Sequence, residues 1–276
     1  RLANMGYVPT EIAEKLQLPN EFLNESHVQG YYGTVSHNTK AVYTKYLGWY
    51  DGNPANLNPL PPVESAKKYV EYMGGTVELI SKATKAFEEG DYRWVVQVMN
   101  HAVFADPKNA EARNLQADAF EQLGYQSESG TWRNAYLTAA RELRYGSLRI
   151  PASMGRQIAH AITIDQLFDM IGVRFDPKKF DSGPSRINWH FSDLGEDHVL
   201  GIQNLTIYHD PNTSDDKANA TVTTTRKSIS QILGGQTTLN ETITAGNFVI
   251  QGDEELVENF FNSLESFITA PLIEPK

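Results

Sequence analysis

At 276 residues and 30.9 kDa the chain is long for one core, so two or three domains are expected. Its composition, 40% hydrophobic and 21% charged, is that of an ordinary globular protein, and no apolar run approaches the roughly 20 residues a membrane helix needs. A formal net charge of −10 disfavours nucleic acid as a partner, and the absence of cysteine excludes disulfides and thiolate chemistry while leaving the compartment open.

In chain order, Arg1-Leu-Ala-Asn-Met-Gly6 reads as the last turn of a helix with Gly6 at a left-handed C-cap, so the chain is expected to be a fragment. Thr10 is the expected cap of a short helix with Ile12 and Leu16 on its apolar face, ended by Leu18-Pro19. The stretch from Gly30 to Pro54 then places six aromatic residues and four glycines in 25 positions. Glycines beside tyrosines imply tight turns that hold phenol groups in place, as a polar binding site requires. A helix is expected from about Thr39, capped by Asn38 or Ser36. Four prolines in the nine residues 54–62 read as an extended boundary strap.

From Val63 the pattern changes. Val63, Ala66, Val70, Met73, Val77, Ile80, Thr84 and Phe87 follow a spacing of period 3.5. Gly74-Gly75 weakens its middle by roughly 1 kcal/mol per glycine, enough for a kink. The seam fits either a helix packed in its own domain or one packed on a second copy of the chain. Residues 91–144 read as three more helices, 91–105, 110–123 ending at Gly124, and 129–144. Gly90-Asp-Tyr92 through Leu123-Gly124 looks like a tetratricopeptide hairpin, but one repeat cannot bury its own face, so a packing unit is expected.

After Ile150-Pro151 the class changes again. Thr163–Ile171 reads as a helix; Arg186–Phe191, Val199–Tyr208, Ala220–Thr225 and Phe248–Ile250 as strands; Lys227–Leu233 as a helix. Asp253 caps a last helix of about 15 residues. Its apolar face, Leu256, Val257, Phe260, Phe261, Leu264, Phe267 and Ile268, must dock on the sheet.

No histidine stands in metal-ligand spacing, so no metal site is expected from this chain. There is no nucleophile elbow or phosphate loop, and neighbours such as Ser36 and His37 seldom face each other. His37 fits a helix-entry hydrogen bond or a place in a substrate pocket. Tyr31 and Tyr32 fit buried packing with satisfied hydroxyls, or uncharged donors to an anion. Phe260, Phe261 and Leu264 fit core, or the lining of an apolar tunnel. Asn-x-Ser/Thr triplets at Asn204, Asn212, Asn219 and Asn240 matter only where the host glycosylates them.

Tyr31-Tyr-Gly-Thr-Val-Ser-His-Asn38, Leu47-Gly-Trp-Tyr-Asp-Gly-Asn-Pro54, Leu123-Gly-Tyr-Gln126 and Trp132-Arg-Asn-Ala-Tyr-Leu137 together resemble the zinc-dependent alkyl sulfatases of the metallo-β-lactamase superfamily. The resemblance implies a multidomain α plus α+β chain. Residues 1–62 would be the tail of a metallo-β-lactamase-like catalytic domain, 63–149 a helical dimerisation domain, and 150–276 a domain similar to sterol carrier protein 2. It implies a homodimer that hydrolyses alkyl sulfates such as dodecyl sulfate to alcohol and sulfate. Two zinc ions would be held by residues upstream of Arg1, in a missing N-terminal catalytic domain, so this chain alone is expected to be inactive. A tyrosine of the motif resembles the family's sulfate contact, with Tyr32 favoured over Tyr31, and Phe260, Phe261 and Leu264 are the alkyl-chain candidates. Periplasm or secretion is the expected location. The alternative is a non-enzymatic lipid-binding protein of sterol-carrier type.

Overall fold

The computed structural model describes residues 1–147, 162–266 and 273–275. The chain divides into two compact units, Arg1–Leu148 with Ala270–Lys276, and Arg149–Thr269. The expected change of class at Ile150-Pro151 lies outside the described residues, as do His160, Phe267 and Ile268.

The described part of the first unit is helical. Ala3–Met5 forms one 3-10 turn, and the Gly6 N–H, at φ +88°, reaches the Ala3 carbonyl at 2.9 Å. Helix α1 spans Pro9–Lys15, so Thr10 lies inside it rather than capping it. Proline takes the first position, where its missing N–H costs nothing, and Glu11 accepts from the Val8 N–H at 3.0 Å. Helix α2 spans Val35–Leu47 and starts earlier than expected. Thr34, not Ser36 or Asn38, is the cap, its hydroxyl accepting from the His37 N–H at 2.9 Å.

The period-3.5 seam is not one helix. It is split into α3, Pro62–Tyr72, and α4, Thr76–Glu88. Gly74 and Gly75 both have left-handed φ, +99° and +89°. The Gly75 N–H reaches Val70 O at 2.8 Å and the Gly74 N–H reaches Glu71 O at 3.1 Å, the two bonds that close a helix end. The register then changes. Helix α4 buries Leu79, Ile80 and Ala83, while Val77 of the expected seam is 85% exposed.

Helices α5 (Tyr92–Ala105), α6 (Ala110–Gln126) and α7 (Gly130–Tyr145) complete the unit. Their core holds Val95, Met99, Ala102, Ala117, Ala140 and Leu143. Gly124 does not end α6. It is buried within it, and a Cβ there would lie 2.9 Å from Leu137 Cδ2, so the glycine marks a close approach of α6 and α7.

His101 of α5 stacks on Tyr69 of α3, with ring centroids 4.5 Å apart and burial holding the imidazolium below its ordinary pKa of 6.5. The unfolded chain therefore takes up this proton at a higher pH than the folded one. Stability from this group is complete above about pH 6.5 and declines as pH falls toward the lower folded value. In urea titrations from about pH 7 to pH 5, His101→Gln is expected to lose less stability than the wild type. Equal losses would remove His101 as a cause.

The second unit is α+β. Helix α8, Ile164–Arg174, carries a capping box in which Gln166 N–H donates to Thr163 Oγ1 at 3.2 Å and Thr163 N–H donates to Gln166 Oε1 at 2.9 Å. Five strands follow, β1 (Ser185–Phe191), β2 (Glu196–Gln203), β3 (Thr206–Pro211), β4 (Ala220–Thr224) and β5 (Phe248–Gly252). They lie in the order β3-β2-β1-β4-β5, with β1 and β4 parallel and the other pairs antiparallel.

The expected single strand Val199–Tyr208 is a hairpin. Asn204 and Leu205 both have positive φ, +52° and +63°, and Gln203 pairs with Thr206. Such two-residue turns favour Asn-Gly, and leucine in the second place hid the turn from the sequence pattern.

Helices α9 (Arg226–Leu233) and α10 (Leu239–Thr244) connect β4 to β5, and α11 (Glu254–Asn262) follows β5. Asp253 caps α11, accepting from the Leu256 N–H at 2.9 Å. This helix is shorter than expected because strand-like pairing takes over. Asp176 N–H donates to Ser263 O at 2.8 Å, Glu265 N–H donates to Arg174 O at 2.7 Å, and Leu264 bridges to Phe175. The core joins Phe168 and Ile171 of α8, Ile187, Trp189, Leu200, Val222 and Phe248 of the sheet, and Leu256, Val257 and Phe260 of α11. The last helix therefore docks on the sheet.

Candidate functional site

The first turn of α7 clamps the loop that carries Tyr31 and Tyr32. Ser129 Oγ donates to the Tyr32 carbonyl at 2.6 Å, and Thr131 Oγ1 donates to the same oxygen at 2.8 Å. The Gly130 N–H donates to the Tyr31 carbonyl at 2.8 Å. Ser129, only 2% exposed, also caps α7 by accepting from the Trp132 N–H at 3.3 Å. One hydroxyl thus starts a helix and fixes a loop about a hundred residues earlier.

The backbone is held and the phenols are free. Tyr31 is 57% exposed and Tyr32 81%, and neither hydroxyl has a hydrogen-bond partner among the described residues. Neither ring is packed in a core. His37, exposed on the first turn of α2, accepts from the Trp132 indole N–H through Nδ1 at 3.2 Å. With Nδ1 accepting, a neutral ring carries its proton on Nε2. Lys40 Nζ lies 5.6 Å from the centroid of the Trp132 ring. Two phenols, an imidazole and an ammonium thus fall within residues 31–40, residue types that can donate to an anion. Ser129, Thr131 and Trp132 were missed as site-forming residues. The Ser-x-Thr-Trp run before a helix was legible as a cap, while its grip on a distant loop was not.

The apolar candidates lie elsewhere. Phe260 is fully buried, with ring centroids 5.4 Å from Phe261 and 6.3 Å from Trp189. Phe261 and Leu264 are half-buried at the edge of the same core. A 210 Å³ pocket in this unit is lined by Phe175, Phe180, Ile202 and Leu205, and not by those three residues.

A cluster of titratable groups ties α8 to the β2–β3 hairpin. His198 Nδ1 and His209 Nδ1 lie 3.6 and 3.5 Å from Asp165 Oδ1. Their Nε2 atoms face Glu196 at 3.3 Å and Asp169 at 3.1 Å. Among the described residues, no group of three or more His, Asp or Glu side chains is placed to hold a metal ion. These side chains do not fit a zinc ion of the kind the resemblance implies.

The alkyl sulfatase dimerisation family matches residues 8–146, and the alkyl sulfatase C-terminal family matches residues 152–270. The first of these takes in most of the stretch expected as a catalytic-domain tail. A linear primary-alkylsulfatase of Pseudomonas sp. is 42% identical over 97% of this chain and 40% of its own length. An alkyl/aryl-sulfatase of Saccharomyces cerevisiae is 43% identical over 100% of this chain and 43% of its own length. The solved stereoselective inverting sec-alkylsulfatase of Pseudomonas sp. superposes with a TM-score of 0.89 at 42% identity, over 99% of this chain and 44% of that one. The chain spans about two fifths of the length of the curated relatives it matches, and by these matches it belongs to the alkyl sulfatase family.

Proposed function

We propose that this chain is part of an enzyme that hydrolyses alkyl sulfate esters, adding water to give an alcohol and sulfate. The observation that carries the reading is the Tyr31–Tyr32 loop, locked through both carbonyls by α7 while its phenols stay free. A fixed uncharged donor grips a sulfate group without leaving a buried charge behind when the product departs. The family's two zinc ions would be held by residues outside this chain, and the chain alone would hydrolyse nothing.

In this reading the residues before the α3 seam serve as the tail of a metallo-β-lactamase-like domain. Exposed Leu23, Tyr46, Leu47, Trp49, Leu57 and Leu60 support that, since a catalytic domain would cover such a surface. The helical unit would form the homodimer. The sheet-bearing unit would be a sterol-carrier-like module that assists with the alkyl chain. A purely lipid-binding role is less well supported, because the relatives that match nearly the whole chain are sulfatases.

The test is Tyr32→Phe in the whole enzyme, assayed on an alkyl sulfate. A hydrogen bond to a charged group contributes about 1.5–3 kcal/mol, so kcat/KM is expected to fall about 10- to 100-fold. Tyr31→Phe is expected to change it by less than about threefold. Unchanged kinetics in both variants would remove the loop from the reaction.

A further inference from the structure

After the sheet-bearing unit the chain returns to the helical one. Residues 1–148 and 270–276 form one compact unit with 149–269 set between them, so the second unit is an insertion and not an appendage. Neither family match describes the return, since they end at residues 146 and 270. Within the returning stretch, Ile273 packs against the helical core that holds Met99, Ala117 and Leu143. Glu274 pairs with Arg113 of α6, 161 residues away in sequence.

Arg113 is fixed by more than its carboxylate. Its Nε donates to the Leu143 carbonyl near the end of α7 at 2.9 Å, and Nη1 donates to the Pro107 carbonyl in the α5–α6 turn at 3.0 Å. Two backbone acceptors set the plane of the guanidinium, so a carboxylate that arrives costs it little further rotamer freedom. Nη1 also donates to Glu274 Oε2. The pair is largely withdrawn from water, with side chains 17% and 21% exposed, and is not of the weak kind found on open surfaces. Without Glu274 the guanidinium keeps its carbonyls but loses this carboxylate, and a part-buried cation stripped of its partner is costly. The α5–α6 hairpin, expected only as a packing unit, thus presents a place for a carboxylate beside a place for an apolar side chain.

We infer that the α5–α6 turn and the end of α7 form a docking surface for a short apolar–acidic segment, and that this chain's own Ile273–Glu274 occupies it as a releasable strap. While the strap is docked, the sheet-bearing unit is tied to the helical unit at both of its ends. When the strap is released, one connection remains. Because the segment is tethered, its effective concentration is on the order of millimolar, and a few contacts suffice to hold it. The inference stands apart from the sulfatase reading, since none of these residues belongs to the tyrosine loop or its clamp.

The test is digestion of the whole enzyme by thermolysin, a protease that cuts before large apolar residues, followed at the Leu272–Ile273 bond by mass spectrometry. A docked Ile273 has to leave the core before it is cut, so the rate follows the released fraction. In Glu274→Gln, cleavage there is expected to quicken about 10- to 100-fold, the effect of losing a hydrogen bond between charged groups. Arg113→Lys keeps the charge but not the fork, and should quicken it by less. Cleavage within α5 and α6 should stay at the wild-type rate in both variants, which separates release of the strap from unfolding of the unit. Equal rates at the bond in the wild type and Glu274→Gln overturn the strap, whether the bond is cut slowly or fast in both. Faster cleavage throughout the helical unit in Glu274→Gln also overturns it, because the segment would then be a fixed part of the core. Wild-type cleavage that slows as protein concentration rises does the same, since the occupant would be the segment of a second copy.

Discussion

Replacing Phe260 with alanine is expected to lower the stability of the sheet-bearing unit by about 3–5 kcal/mol. The ring is fully buried and touches aromatic neighbours on several sides. Trp189 lies 6.3 Å away and Phe261 5.4 Å, both near edge-to-face, and Phe248 extends the cluster with its centroid 6.0 Å from Trp189. Such pairs add about 0.5–1.5 kcal/mol to the area they bury. Leucine and valine at positions 256 and 257 sit on the same helix and cannot follow the missing ring without leaving their own contacts. The cavity should therefore persist, and its cost adds to the lost transfer energy. Hydrogen exchange of β1 and β4 amides is the appropriate measure, since those central strands open only with the unit. The same experiment decides the role of this residue. A tunnel-lining phenylalanine would leave exchange nearly unchanged and weaken binding of alkyl chains. That result would return Phe260 to the list of ligand contacts.

The sequence made the classes of the two units legible, and the reason is periodicity. Helices α5 and α7 show apolar faces, Asn109 and Ser129 cap α6 and α7, and β1 and β4 alternate. The failures share a physical origin in pairs of residues whose backbone decides more than their pattern. Gly74-Gly75 was read as a weak point in one helix, yet two consecutive left-handed residues end a helix and reset its face. Asn204-Leu205 was read through as strand, because leucine rarely accepts the positive φ that a two-residue turn imposes. Gly124 was read as a stop, whereas its missing side chain makes room for Leu137. For the candidate site, the tyrosines and His37 stand out in the sequence by their glycine-rich setting. Their fixation was not, because Ser129 to Trp132 lie about a hundred residues away, and only tertiary contact brings them to the loop.

Ser129→Ala is expected to free the tyrosine loop, with a local cost of about 2–4 kcal/mol. The hydroxyl does two things at once. It caps α7, a role whose loss costs about 0.5–2 kcal/mol, and it donates to the Tyr32 carbonyl at 2.6 Å. Without it that carbonyl keeps only the Thr131 hydroxyl, itself 2.9 Å from Ser129 Oγ and now without that neighbour. A weakened acceptor near a buried helix start adds about 1–3 kcal/mol. Thr131→Val alone should cost less than about 1 kcal/mol, because Ser129 still holds both the carbonyl and the helix start. The double variant is expected to fall short of the sum, since the two donors share one acceptor. Hydrogen exchange at Gly30–Thr34 should quicken by about 10- to 1,000-fold in Ser129→Ala, well ahead of the amides in the middle of α5 and α6. In the whole enzyme kcat/KM should fall alongside it even though no group touching the substrate has changed, because a donor that swings loses the preorganisation on which its contribution depends. Adding Tyr32→Phe to Ser129→Ala should then cost little more. If exchange at the loop stays slow in Ser129→Ala, the clamp is not what fixes Tyr32, and the packing of Asn38 on Gly33 is left to hold the turn.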